Sequence, residues 1–107
     1  MKQKVESYIL IYAIRYALGR QSGSVLDCVN ETMANIDTIE EKYKGVMLKD
    51  ILTYLNNVKD AQYQWQDIIL SWKGLAKELY NRSSQETKEW LKNPLGGGIS
   101  EEIISSL

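Results

Sequence analysis

The chain is expected to be all-α: a single-domain helical bundle of four main helices plus a short C-terminal helix. Three observations carry this expectation. Proline occurs once, at Pro94; most glycines gather at joints; and apolar residues recur at helical rather than strand spacing. At 107 residues the chain suits one core, and 44% apolar with 25% charged residues is the balance of a folded globule rather than a disordered tail. No internal repeat is present.

The first helix is expected from about Lys4 to Leu18, apolar around much of its circumference as a central helix would be. Gly19 sits where a left-handed C-terminal cap is wanted. "RQSGS" is a short connection, and Ser24 can N-cap a second helix from Val25 to about Ile36, with Val25, Cys28 or Val29, Thr32 and Ile36 on one face. Asp37 or Thr38 starts a third helix, placing Glu40 and Glu41 in a first turn whose dipole favours acids. Gly45 is a point where that helix can bend or split, while Val46 or Met47, Ile51, Tyr54 or Leu55, and Val58 continue the period. The fourth helix runs from about Ala61 to Tyr80, with Trp65, Ile68 or Ile69, Trp72, Leu75 or Ala76, and Leu79 as its stripe. Ser83 and Glu86 match an S-x-x-E capping box before a short helix to Leu91. The bundle is thus expected over residues 1–93. Residues 94–107 form a glycine-rich segment with a last helical turn N-capped by Ser100.

Composition excludes much chemistry. The net charge is −1, whereas a stand-alone nucleic-acid binder shows a clear positive excess, so direct nucleic-acid binding is not expected. Histidine is absent, so Ser-His-Asp, Cys-His and H-E-x-x-H constellations cannot occur. Cys28 stands alone, which rules out a thiolate zinc cluster and an internal disulfide. We expect no metal, no cofactor and no enzymatic activity. Met1 to Glu6 is charged, and the apolar run Tyr8 to Ile14 is broken by Arg15 well short of the roughly 20 residues of a membrane span. A cytoplasmic protein without membrane association is expected.

The stretch "YAIRYALGRQSGSV", Tyr12 to Val25, places two arginines in an otherwise apolar run. Tyr8, Tyr12 and Tyr16 lie along one edge of the first helix, with Arg15 and Arg20 beside them. A buried arginine must meet a carboxylate, reach solvent or meet an anionic ligand, since an unmatched buried charge costs about 3–5 kcal/mol. Asp27, Glu31, Asp50 and Asp67 are candidate internal partners for Arg15. The other reading is an anion site, in which Arg20, Ser22 and Ser24 stand at the N-terminus of the second helix and Gly23 permits close approach. The stretch lacks the spacing and the lysine of a P-loop.

"IRYALGRQSGSV" resembles the "RYALGR-T" signature of small uncharacterised proteins encoded by phages and other mobile elements. The resemblance covers Arg15, Tyr16, Ala17, Leu18, Gly19 and Arg20; "LKDILTYL" and "YQWQDIILSW" are similar to later family segments in order and spacing. It departs at "QSGSV", where the family tends to have a threonine and an aromatic or apolar residue. The resemblance implies a phage or mobile-element origin and no particular reaction.

Three functions follow as expectations. The first is an accessory protein that binds and inhibits a host defence protein, in the manner of an anti-CRISPR or other counter-defence factor. Glu40, Glu41, Asp50 and Asp60 would form the acidic face that covers a basic channel. The second is an oligomeric module that sequesters a signalling nucleotide or other anionic small molecule, with Arg15 and Arg20 on phosphate and Tyr12 or Tyr16 stacked on the base. The third is a structural protein that assembles as a homo-oligomer through Trp72 or Trp90. Trp65 and Trp72 otherwise read as aromatic core, Trp90 as exposed or as a clamp on the C-terminal segment, and "EEKYK" as a solvated face.

Overall fold

A 17-residue helix, α1 (Glu41–Asn57), is the element around which the rest is arranged. The computed structural model describes residues 29–30, 32–57 and 66–107, with the backbone alone for 66–68. The expected first helix, Arg15, Tyr16, Arg20, Ser22, Ser24, Cys28, Asp60 and Trp65 lie outside the described residues. Those residues are helical and include no strand, as the period predicts.

Lys44, Met47, Leu48, Ile51 and Leu52 are buried along α1, a run at i+3 and i+4 that defines its inner face. Two helices pack on it: α2 (Gln66–Asn81) and α3 (Gln85–Lys92). From α2, Trp72, Leu75, Ala76 and Leu79 are fully buried, so from Trp72 onward the stripe read from the sequence is the core face. Gly74 lies on the opposite, open side, with nothing within 4 Å of where a side chain would start.

Before α1, residues 29–30 and 32–34 are helical and bury Val29 and Thr32. The second helix was expected to run through Ile36, and a third to start at Asp37 or Thr38. Instead Ile36–Thr38 form a 3-10 turn, and α1 begins only at Glu41. The physical reason lies in Asn35 and Ile39. The Asn35 carbonyl takes both the N–H of Thr38 (2.9 Å) and its hydroxyl (2.7 Å), tightening the chain, and Ile39 is extended. Ile36 and Ile39 still reach the core.

Gly45 does not split α1, which is continuous across it. The capping residue of α3 also differs from the expected one. Ser83 is buried and donates its hydroxyl to the Leu79 carbonyl at 2.6 Å, closing the last turn of α2. Ser84 is the residue with the extended backbone an N-cap requires, and its Oγ accepts the Thr87 N–H at 3.1 Å.

The end of the chain folds back onto the bundle. The N–H groups of Gly97 and Ile99 donate to the Trp90 and Leu91 carbonyls, each at 2.9 Å, satisfying the end of α3. A last turn, α4 (Glu101–Ser105), is N-capped by Ser100, whose Oγ accepts the Ile103 N–H. Ile99 and Ile104 join the core cluster, and Lys92 pairs with Glu101 at 3.2 Å. Arg82, at the end of α2, donates to Asp37 at 2.5 Å and to Glu78 at 3.3 Å, tying the 3-10 turn to the bundle. Among the described residues no helix is long and apolar enough to cross a membrane.

Candidate functional site

Helical spacing on two facing helices builds a cleft among the described residues. On α1, Glu41 and Gly45, and Lys42 and Val46, are i,i+4 pairs on one side of the helix. On α3, Glu86 and Trp90 form another such pair, with Thr87 between them. Together with Ser84 these residues line a cleft of about 510 Å³, a volume within the range of ordinary ligand sites.

Gly45 and Trp90 set its depth. A Cβ at Gly45 would lie 3.3 Å from Trp90 Cζ3 and 3.4 Å from Thr87 Cγ2, so the missing side chain lets the indole settle against the α1 backbone. The other edge of the indole is held by the glycine-rich segment. A Cβ at Gly96 would stand 2.8 Å from both Cδ1 and Nε1 of Trp90. Gripped on two edges, Trp90 nevertheless remains 37% exposed, whereas Trp72 is 0% exposed. The expectation that Trp90 is exposed or clamps the C-terminal segment therefore holds in both parts. Trp72 is core and cannot serve as a contact point for assembly.

Glu41 supplies the fixed charge. Its Oε1 accepts the backbone N–H of Ser84 at 2.5 Å. Burial works against its ionisation, but the Ser84 N–H, the Thr87 and Ser84 hydroxyls and the Lys44 ammonium outweigh it and hold the carboxyl below its ordinary range. Such a group acts as a stationary negative charge and not as a proton donor. Glu86 is exposed on the other wall. Lys42 carries its ammonium 5.0 Å from the centre of the Tyr43 ring.

The proposed acidic face is only partly gathered here. Glu41 is in the cleft, and Glu40 precedes it, half-buried, with its carbonyl accepting the N–H groups of Tyr43 and Lys44. Asp50 lies nine residues beyond Glu41 on the same continuous helix, on roughly the opposite side. Tyr43 and Lys44 are buried, so the expected solvated run "EEKYK" is exposed only in part. Lys44 Nζ reaches towards the Arg82 carbonyl at 3.5 Å.

A second cleft, of about 270 Å³, lies between α1, α2 and the last turn, with Leu52, Leu55, Ile69 and Ile103 as its apolar lining and Lys73 at its edge. Among the described residues no group of three or more Asp, Glu, Cys or His side chains is placed to hold a metal ion. Sequence reasoning missed the pairing of Gly45 with Trp90. Its only local signal is a glycine inside a strong helical period, which often marks a close approach. No family model matches the chain, and neither a curated protein nor a solved structure matches it.

Proposed function

We propose that this chain is a binding protein whose partner is another protein, held at the α1–α3 cleft. Following the resemblance of the Arg15–Arg20 stretch, we further propose that it is a phage- or mobile-element-encoded inhibitor of a host defence protein, acting in the host cytoplasm without catalysing a reaction. The observation that supports a protein partner is Trp90: a tryptophan fixed on two edges, 37% exposed, in a cleft with charged walls. Rigid, half-exposed tryptophans of this kind are enriched among the residues that dominate protein interfaces, because they lose large apolar area to a partner at little entropic cost.

The test is purification of the tagged chain from its host, with native mass spectrometry of what accompanies it. One host protein at fixed stoichiometry, lost on Glu86→Arg, is the expected result. Expression of the chain should also lift that protein's restriction of phage growth, and the variant should not. A bare chain with no effect on any defence system would overturn the reading. A retained adduct of nucleotide mass would replace it with the sequestering one.

A further inference from the structure

The structure carries one more step, which rests on the protein-binding reading above: the chemistry of the group that enters the cleft. We infer that the α1–α3 cleft receives an arginine side chain of the partner, its guanidinium stacked on Trp90 and paired with Glu86.

Charge and shape both point to a planar cation. Of the ionisable groups lining the cleft, Glu41 and Glu86 are carboxylates and Lys42 is the single ammonium. Lys42 is drawn to the Tyr43 ring, and the Glu41 carboxylate is occupied by donors from Ser84 and Thr87. Glu86 is the exposed carboxylate left to meet an incoming charge. It stands one helical turn before Trp90 on the same side of α3, so their Cβ atoms are about 5–6 Å apart. A guanidinium spans that interval, with its flat face on the indole and its edge on the carboxylate. An ammonium is a compact, strongly hydrated point charge that satisfies one contact at the expense of the other. The remaining lining suits the stem of the same side chain. Val46, half-buried in the lining, offers apolar surface for the methylenes, as arginine requires when its head is held at a polar rim.

The experiment is a titration followed by NMR on the full-length chain, using a blocked Gly-Arg-Gly peptide, its citrulline counterpart and its lysine counterpart. The Trp90 indole resonance is assigned with Trp90→Phe. The arginine peptide should shift that resonance and the amides of Ser84 and Thr87 along a saturable curve. Lysine should bind more weakly, and citrulline, isosteric but neutral, should leave them in place. Glu86→Gln should weaken the arginine peptide roughly two- to five-fold, the range for one exposed ion pair. Glu86 is exposed, so this variant keeps the fold even if Trp90 variants do not.

Equal shifts with arginine and citrulline, no shift at the cleft with arginine, or an affinity unchanged in Glu86→Gln would each overturn the inference. Failure of the protein-binding reading looks different: the arginine titration succeeds while no host protein accompanies the chain. Conversely, a host partner whose binding is lost on Glu86→Arg but unchanged in Glu86→Gln leaves that reading standing and removes this one.

Discussion

Glu41, in the first turn of α1, accepts the backbone N–H of Ser84, 43 residues further along, at 2.5 Å. In a local capping box the acid that secures the N-cap N–H comes from the same helix, three residues on. Here Ser84 captures the Thr87 N–H, and α1 supplies the reciprocal carboxylate. The N-terminus of α3 and one wall of the cleft are thereby tied to α1 through one carboxylate.

Replacing Glu41 with Gln should lower stability in a pH-dependent way. The folded-state pKa of Glu41 is depressed, so its stabilisation is fully present above the unfolded-state value and is lost as pH falls through the folded one. The gap in melting temperature between wild type and Glu41→Gln should be widest near neutrality and close in acid. Other carboxylates titrate in both proteins, so the difference isolates this one. A gap constant with pH would show that the charge on Glu41 contributes nothing.

Ser84→Ala should cost about 1 kcal/mol, the usual worth of an N-cap, and should speed hydrogen exchange at the Thr87 amide. Ser83→Ala removes a different bond, to the Leu79 carbonyl, and should leave Thr87 exchange unchanged. Exchange measured by NMR on both variants separates the two serines.

Gly45 and Gly74, both inside helices, should respond differently to side chains. Gly74→Ala meets open space and should gain about 1 kcal/mol from helix propensity alone. Gly45→Ala must displace Trp90 by a few tenths of an ångström and should gain less. Gly45→Val, with no room to relax, should lose about 1–3 kcal/mol and perturb Trp90 fluorescence. Urea denaturation of the three variants checks the order.

Gly97→Ala should release the end of the chain. Its Cβ would fall 2.6 Å from the Leu91 carbonyl oxygen and 2.8 Å from Leu91 Cα, both backbone atoms that cannot move aside. The hydrogen bonds that end α3 would break, and Ile99 and Ile104 would leave the core, where burying one such side chain is worth about 1.5–3 kcal/mol. Limited proteolysis should then cut within residues 94–107, which should resist in the wild type. Equal resistance in the variant would count against this account of the segment.

By itself the sequence determined the helical class and the buried stripes. Trp72, Leu75, Ala76 and Leu79 on α2, and Met47 and Ile51 on α1, are core because the 3.6-residue period places them on one side of a helix whatever the partner. Ser100 at the start of α4 was legible for a similar reason, since its bond to the Ile103 N–H spans three residues. The choice between Ser83 and Ser84 was not. Both are adjacent serines with cap chemistry, and the decision fell to the length of α2, which buries Ser83, and to Glu41, which holds Ser84. The cleft was equally hidden. Gly45 and Trp90 belong to different helices, and no local period records that the absence of one side chain makes room for another. Periodicity reports which way a residue faces on its own helix; which residue faces it across the gap is settled only when the helices pack.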